Sequence, residues 1–419
     1  MDLASISLGA LALAIVVSCT TRINVGFLSL VLAWIIGVLL AGMKSSEVAA
    51  GFPVQLFLTL TGVTLLFAEA RANGTLERIA YYAVSICKGN LGLIPVAFFL
   101  VTLGMASIGA GNIAAAALIA PMAMAVAGRI GISAFLMTIM VGNGANAGSL
   151  SPFAPTGIIV HGLMDQMGLG GVQWQTYVNN LVAHVAVAFA GYLLLGGWRL
   201  FGRTHVDTDE VGQDQSQDHS FEARHWVTMG AITALISGVI FFELDVGMGA
   251  FTAAVLLALL RMTDEATAIR LIPWGVILMV TGVTVLVSLL EKTGGMDLFT
   301  SILARFSTPD SITAVVALVT GLISAYSSTS GVVLPAFLPT VPSLIERLGG
   351  GDALAIASSM NLGSHLVDVS PLSTIGALCI AAVPPSEDSR ILFYKVLAWG
   401  LSMSVVGMVV SYVFFGLLW

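Results

Sequence analysis

Charge is scarce in this sequence: Asp, Glu, Lys and Arg together make up 9% of the 419 residues. Hydrophobic residues make up 57%, and the mean hydropathy is +0.98. Water-soluble globular domains carry more charge and less apolar sequence, so this composition excludes them and gives no basis for a nucleic acid partner. It predicts an all-α protein that crosses a lipid bilayer several times.

Cysteine and catalytic motifs are also in short supply. The three cysteines, Cys19, Cys87 and Cys379, have a spacing that fits neither a disulfide framework nor a zinc site. The sequence contains no HExxH, no GxSxG and no clustered carboxylate pair, which argues against a membrane enzyme. The first residues, MDLASISLGALALAIVVSC, lack a basic n-region and a small-residue cleavage site, so we expect a first span here rather than a signal peptide.

Glycine and proline, by contrast, are abundant, with 45 and 13 residues. They concentrate with Ser and Asn in two pairs of polar stretches: SIGAGN (107–112) with GNGANAGSLSPFAP (142–155), and AYSSTSG (325–331) with MNLGSHLVDVSPLST (360–374). Within apolar sequence such stretches are costly unless the freed backbone groups are used. They predict, in each half, the tip of a re-entrant helical hairpin and the break of a discontinuous helix, as in secondary transporters.

The apolar windows divide the chain into two repeats around a hydrophilic linker. We expect the first repeat over 1–203, with scaffold spans within 3–70, a hairpin at 91–127, a broken span at 132–165 and a span at 177–200. The linker covers 204–225. The second repeat, 226–419, has scaffold spans within 226–290, a hairpin at 312–345, a broken span at 353–380 and a span at 391–419.

Residues recur between the halves at near-constant separation. Pro53, Gly62 and Gly74 correspond to Pro273, Gly282 and Gly294, and further pairs are Pro121 with Pro339, Ser151 with Ser370 and Pro152 with Pro371. Each half is predicted to have five crossings, an odd number that puts the halves in opposite orientation, as in an inverted-topology repeat. Most Lys and Arg residues fall on the side of the linker, which predicts a cytoplasmic linker and outward termini in a bacterial-type inner membrane.

Each predicted tip suits ions. The helix that leaves a tip begins with unpaired N–H groups and a positive dipole end, while the arriving helix ends in free carbonyl groups. Ser107 and Asn112 at the first tip, and 327–330 at the second, add side-chain donors and oxygen ligands. Such residues also serve simply for close helix packing, but their repetition in both halves favours a site. No Lys or Arg is near either tip in sequence, so we expect hydroxyls, amides and helix ends to hold a bound carboxylate.

His365 and Asp368 are an ionisable pair in an otherwise uncharged broken span. Ionisable groups inside a membrane are usually functional, so both are candidates for proton coupling or cation binding. The alternative is that Asp368 caps the half-helix after the break, with His365 as its neighbour.

At this point the sequence resembles a known family. GFPVQLFLTLTGVTLLFAEARANGTLERI (51–79) and GNLGLIP (89–95) resemble the N-terminal region of the malonate carrier (MatC-type) family of dicarboxylate transporters. The repeat pattern resembles the divalent anion/sodium symporters of the ion transporter superfamily, whose tips carry Ser-Asn-Thr followed by Pro nine residues after Asn. Here Asn112 and Pro121 match, with Gly111 and Ile113 replacing Ser and Thr. Thr329, Ser330 and Gly331 stand for the second motif, ahead of Pro339.

The resemblance implies a homodimeric elevator-type carrier, in which a mobile transport domain slides against a scaffold, and Na+ as the coupling ion. It implies substrate contacts at Gly111, Asn112, Ile113, Ser149, Thr329, Ser330, Gly331, Ser370 and Pro371. It implies Na+ ligands at Ser107, Asn112, Gly148, Ala325, Ser328 and Ser330. The expected substrate is a small organic anion such as malonate or succinate. The alternatives are a channel or exporter of an inorganic oxyanion, as in arsenite permeases, and a carrier of sulfonates or tricarboxylates.

Overall fold

A computed structural model describes residues 2–21, 23–85, 90–201, 220–242, 244–383 and 387–417. Most of the predicted linker, residues 204–219, lies outside this range, as does Cys87. The described chain folds into helices joined by short loops. This confirms the all-α fold expected from composition.

The first half is a series of apolar helices with short amphipathic ones between them. The principal helices are Leu3–Thr20, Val25–Leu40, Val54–Ala72, Thr75–Ser85, Leu93–Ala110, Asn112–Ile130, Ala134–Gly148, Pro155–Gln166 and Gln173–Leu194. The last of these begins at Gln173 rather than at the expected residue 177, and its continuation to Leu200 is a separate short helix, Gly197–Leu200. Gly196, with a positive φ of 78°, separates the two.

The second half follows the same order. Its helices are Ala223–Phe242, Val246–Leu259, Glu265–Leu271, Trp274–Thr293, Gly295–Arg305, Ile312–Ser324, Thr329–Leu348, Ala353–Val367, Thr374–Ala381 and Ser389–Leu417. Over the described chain, seven helices are long and apolar enough to cross a membrane. Exposed apolar side chains such as Leu194, Phe241 and Leu259, which are 81%, 77% and 74% exposed, cover the outer surface as a lipid-facing chain requires.

Two glycine contacts interlock the halves. A β-carbon at Gly282 would lie 2.2 Å from the carbonyl oxygen of Gly26, so Trp274–Thr293 and Val25–Leu40 cross with their backbones in contact. A β-carbon at Gly62 would likewise lie 2.5 Å from the carbonyl oxygen of Gly247, where Val54–Ala72 meets Val246–Leu259. In each crossing one helix comes from each half. Only glycine permits the approach, because any β-carbon would overlap the backbone of the other helix.

A further glycine pair joins the hairpins to the broken helices. We call Leu93–Ala110 with Asn112–Ile130 the first hairpin, and Ile312–Ser324 with Thr329–Leu348 the second hairpin. A β-carbon at Gly144 would lie 2.5 Å from the carbonyl oxygen of Phe99, and one at Gly363 would lie 2.2 Å from that of Ala317. Each broken helix therefore packs closely on the arriving arm of the hairpin in its own half.

Replacing Gly282 by Val should destabilise the protein by at least ~1–3 kcal/mol, because the added atoms overlap the backbone of Gly26. Gly275→Val on the same helix is the matched control, since nothing lies within 4 Å of a β-carbon there. Thermal unfolding of the detergent-purified variants measures the difference. Equal melting temperatures for the two variants would show that the crossing is looser than described.

Candidate functional site

Two glycines turn the chain at the tip of the first hairpin. Gly109 and Gly111 have positive φ angles of 125° and 80°, which only glycine adopts readily, and the second arm begins directly afterwards at Asn112. Just before the turn, the carbonyl of Ser107 accepts a hydrogen bond of 2.6 Å from Ser151 Oγ. The hydroxyl of Ser107 donates to Leu103 O at 2.7 Å and lies 2.9 Å from the hydroxyl of Tyr177.

Asparagine side chains connect this tip to both broken helices. Asn112 Nδ2 donates to Asn146 Oδ1 at 3.0 Å, and Asn146 Nδ2 donates to the carbonyl of His365 at 3.3 Å. Asn180 Nδ2 donates to the carbonyl of Asn146 at 2.7 Å. All of these side chains are buried. The first tip is thus held by a buried amide chain that crosses from the first half to the second.

The second tip is held by hydroxyls and one carboxylate. Thr329 Oγ1 donates to Asp368 Oδ1 at 2.6 Å and also bonds to Ser324 Oγ, whose hydroxyl donates to the carbonyl of Ser364 at 3.0 Å. Ser328 Oγ accepts from the N–H of Gly331 at 3.0 Å and starts the second arm. These bonds bind the tip to the broken helix of the same half.

The side chains of Asp368 and His365 have different hydrogen-bond partners. The residue at the start of Thr374–Ala381 is Ser373, whose hydroxyl donates to the carbonyls of Asp368 and Ser370. The carboxylate of Asp368 points to Thr329 instead, so its interpretation as a helix cap is wrong. His365 is fully buried, and its Nδ1 lies 2.8 Å from the carbonyl of Asn361. Its Nε2 has no partner among the described residues.

Two cavities meet where the tips approach each other. The first cavity, of about 150 Å3, is lined mainly by apolar side chains together with Thr64, Arg71, Gly111, Asn112, Ile113, Thr156 and Ser330. The second cavity, of about 270 Å3, is lined by Asp368 and by hydroxyl-bearing residues including Ser327, Ser328, Thr329, Ser330, Ser373 and Thr374, again with Asn112 and Ile113. Asn112, Ile113 and Ser330 therefore border both cavities.

Both cavities lie towards the same end of the helix bundle. The first extends to Arg71 and Pro273, and the second to Thr21 and Ile23. A hydrogen bond of 2.8 Å from Asn24 Nδ2 to the carbonyl of Gly275 shows that these segments share one end. A third cavity, of about 620 Å3, lies at the opposite end of Val54–Ala72, next to Gln55.

The residues expected at the site separate into two groups. One group lines one or both of the first two cavities: Gly111, Asn112, Ile113, Ser328, Thr329, Ser330 and Asp368. The other group lines neither of these cavities: Ser107, Gly148, Ser149, Ala325, Gly331, His365, Ser370 and Pro371. The second group supports the walls from behind. Ser149 Oγ, for example, donates to Asn146 O at 2.7 Å, and a β-carbon at Gly331 would lie 2.5 Å from Met279 Sδ.

The wall of the first cavity includes one basic residue. Arg71, in the last turn of Val54–Ala72, lines the first cavity together with Gly111 and Asn112, although no Lys or Arg is near either tip in sequence. Arg71 is distant from the tip in sequence, and folding brings it there. In the described ranges no three His, Cys, Asp or Glu side chains cluster as metal ligands. A cation here would therefore depend on hydroxyls, carbonyls and Asp368, which are the hard oxygen ligands that Na+ prefers.

Comparisons with known proteins agree with this architecture. Residues 1–149 match the family described as the N-terminus of the dicarboxylate carrier protein MatC, and residues 239–419 match the citrate transporter family. The first match confirms the resemblance to the malonate carrier family. Both families are carriers, so the chain is a membrane transporter of organic anions and not an enzyme.

A solved structure has a similar fold. The YdaH transporter of Alcanivorax borkumensis, whose topology is described as unusual, superposes with a TM-score of 0.60 over 98% of this chain and 99% of that chain. The two sequences are 16% identical, so the similarity concerns the fold alone. No curated protein matches the sequence.

Asn146→Ala should lower the stability by roughly 1–3 kcal/mol, because it leaves the buried amide of Asn112 and the carbonyl of His365 without this partner. Asn90→Ala serves as the amide control, since the side chain of Asn90 accepts a bond from Gly92 N in a partly buried loop and contacts neither tip in the described part of the chain. Thermal unfolding compares the two variants. A melting temperature for Asn146→Ala equal to that of the wild type would contradict a structural role for the amide chain.

Proposed function

We propose that this transporter of organic anions, in which a dicarboxylate carrier region precedes a citrate transporter region, moves small dicarboxylates across a bacterial inner membrane. The substrates are dianions of the size of malonate or succinate. Uptake is driven by a coupled cation, with Na+ favoured over H+. In this proposal the protein is a secondary active transporter, which uses the gradient of the coupled cation as its source of energy.

The observation that carries this proposal is the meeting of the two tips. Asn112 and Ile113 begin one helix arm, Ser330 lies in the first turn of another, and all three line the same two cavities. Helix amino-terminal ends carry unpaired N–H groups and a partial positive charge, which favour an anion. Two such ends at one place suit a substrate that carries two carboxylates.

Apolar walls favour an organic anion over an inorganic oxyanion. Leu60, Phe67, Ile159 and Ile277 line the first cavity. Hydrocarbon between two carboxylates can pack against such side chains, whereas a hydrated inorganic oxyanion gains nothing from them. The match of residues 239–419 to citrate transporters keeps a tricarboxylate as the second candidate substrate.

In this proposal the second tip binds a coupling cation. Asp368 supplies a fixed negative charge, and Thr329, Ser328 and Ser330 supply hydroxyl oxygens around it. A monovalent cation bound there compensates charge that would otherwise be buried in the membrane. A second Na+ site is proposed at the first tip, where oxygen atoms of Ser107 and Asn112 and the carbonyl of Gly148 are the ligands.

We further propose the elevator mechanism, with helices of 3–70 and 226–290 as scaffold and the hairpins and broken helices as transport domain. The glycine crossings that join scaffold helices of one half to those of the other support this division, as do the separate contacts between hairpins and broken helices. The inverted repeat, the homodimer, the outward termini and the cytoplasmic linker 204–225 belong to the same proposal. In that orientation, the first two cavities face the cytoplasm.

Uptake of labelled malonate or succinate into proteoliposomes tests the proposal. An inward Na+ gradient should drive accumulation, while sulfate in excess should leave it unchanged. Asn112→Ala should reduce uptake about ten-fold or more, because the tip loses its amide donor, and Asn90→Ala should leave uptake intact. Uptake that is indifferent to both Na+ and pH gradients would contradict coupling, and normal uptake by Asn112→Ala would remove this residue from the site.

A further inference from the structure

Arg71 differs from the other basic residues near it. Arg78 donates to the carbonyls of Ser220 and Gly74, and Arg224 pairs with Glu222 at 2.9 Å. The side chain of Arg71 makes no hydrogen bond or ion pair with any described residue, although it is partly buried and lines the first cavity. An unpaired guanidinium beside apolar walls at the edge of a membrane is unfavourable unless an anion joins it.

The protein does not pair Arg71 with a carboxylate at ion-pair distance among the described residues. Glu77 lies within electrostatic range, but no ion pair joins the two within the described residues. At the equivalent position of the second half, at the separation that relates Pro53 to Pro273, stands Glu291, and it lines neither cavity. The positive charge at this position is therefore not repeated in the second half of the chain.

The second cavity has the opposite character. Among the described lining residues the charged one is Asp368, and none is Lys or Arg; Arg22, between the lining residues Thr21 and Ile23, is outside the described residues. The two cavities share the lining residues Asn112, Ile113 and Ser330. The positive charge of Arg71 therefore lies in one cavity and the negative charge of Asp368 in its neighbour. Arginine presents a planar fork of donors that fits a carboxylate with two parallel hydrogen bonds.

We infer that Arg71 binds one carboxylate of the substrate in the first cavity and thereby selects dianions over monoanions, while Asp368 serves the cation in the second. The inference rests on the proposed function. The other carboxylate lies at Asn112 and the amino-terminal end of Asn112–Ile130, which borders the same cavity. Arg71 thus gives the first cavity a fixed positive charge for the anion, and Asp368 gives the second cavity a fixed negative charge for a cation.

Binding of succinate and of its monoamide, succinamate, to the purified protein tests this assignment, because the two ligands differ by one carboxylate. The wild type should bind succinate more tightly. Arg71→Gln should weaken succinate binding by about 10- to 100-fold, the amount expected for a charged hydrogen-bonded pair, and leave succinamate binding nearly unchanged. Arg71→Lys, which keeps the charge and loses the fork, should show a smaller loss.

Arg270→Gln is the matched control, since Arg270 is an exposed arginine at the same end of the bundle and lines none of the cavities. Asp368→Asn should remove the Na+ dependence of succinate binding while preserving the preference over succinamate. Full preference in Arg71→Gln, or equal loss in Arg270→Gln, would overturn the inference while the proposed function stands. A wild type that binds no dicarboxylate would overturn the proposed function and the inference with it.

Discussion

The need to satisfy backbone groups at helix breaks inside an apolar chain governs this structure. The described ranges contain four breaks, one at each hairpin tip and one in each broken helix. Each break frees carbonyl or N–H groups where lipid offers no partner. The protein places a tip beside the break of the same half. Ser151 then bonds the carbonyl of Ser107, and Ser324 bonds that of Ser364. Backbone carbonyl and N–H groups that remain unpaired at the tips can bind a solute.

The frame around these breaks is regular, but the site is not. Equivalent glycines hold the helix contacts of both halves, at Gly62 and Gly282 and again at Gly144 and Gly363. At the tips the equivalence ends: the first is linked by amides through Asn112 and Asn146, and the second by a carboxylate and hydroxyls. Packing constrains the frame in both halves alike, whereas substrate and cation require different chemistry from each tip.

Hydropathy was sufficient to predict an all-α membrane fold. The clusters of Gly, Pro, Ser and Asn pointed to Asn112, Thr329 and Ser330, which line the cavities. Three features could not be predicted. Arg71 lies on a helix far from the tip in sequence, so only folding shows that it lines the first cavity. The carboxylate of Asp368 accepts a hydrogen bond from Thr329 and therefore does not cap the helix Thr374–Ala381. The partners of Asn146 come from three separate helices, and spacing along one helix gives no sign of them.

The central claim is that two hairpin tips from different halves of the chain meet at one site, and cross-linking tests it most directly. Cysteines at positions 113 and 330, in a protein whose Cys19, Cys87 and Cys379 are replaced by Ala, should be joined by a short bifunctional thiol reagent in membranes. Excess dicarboxylate should slow the reaction, because both positions line the same cavities. Failure of the pair to cross-link while each single cysteine reacts freely would show that the tips lie apart, and the account would be contradicted.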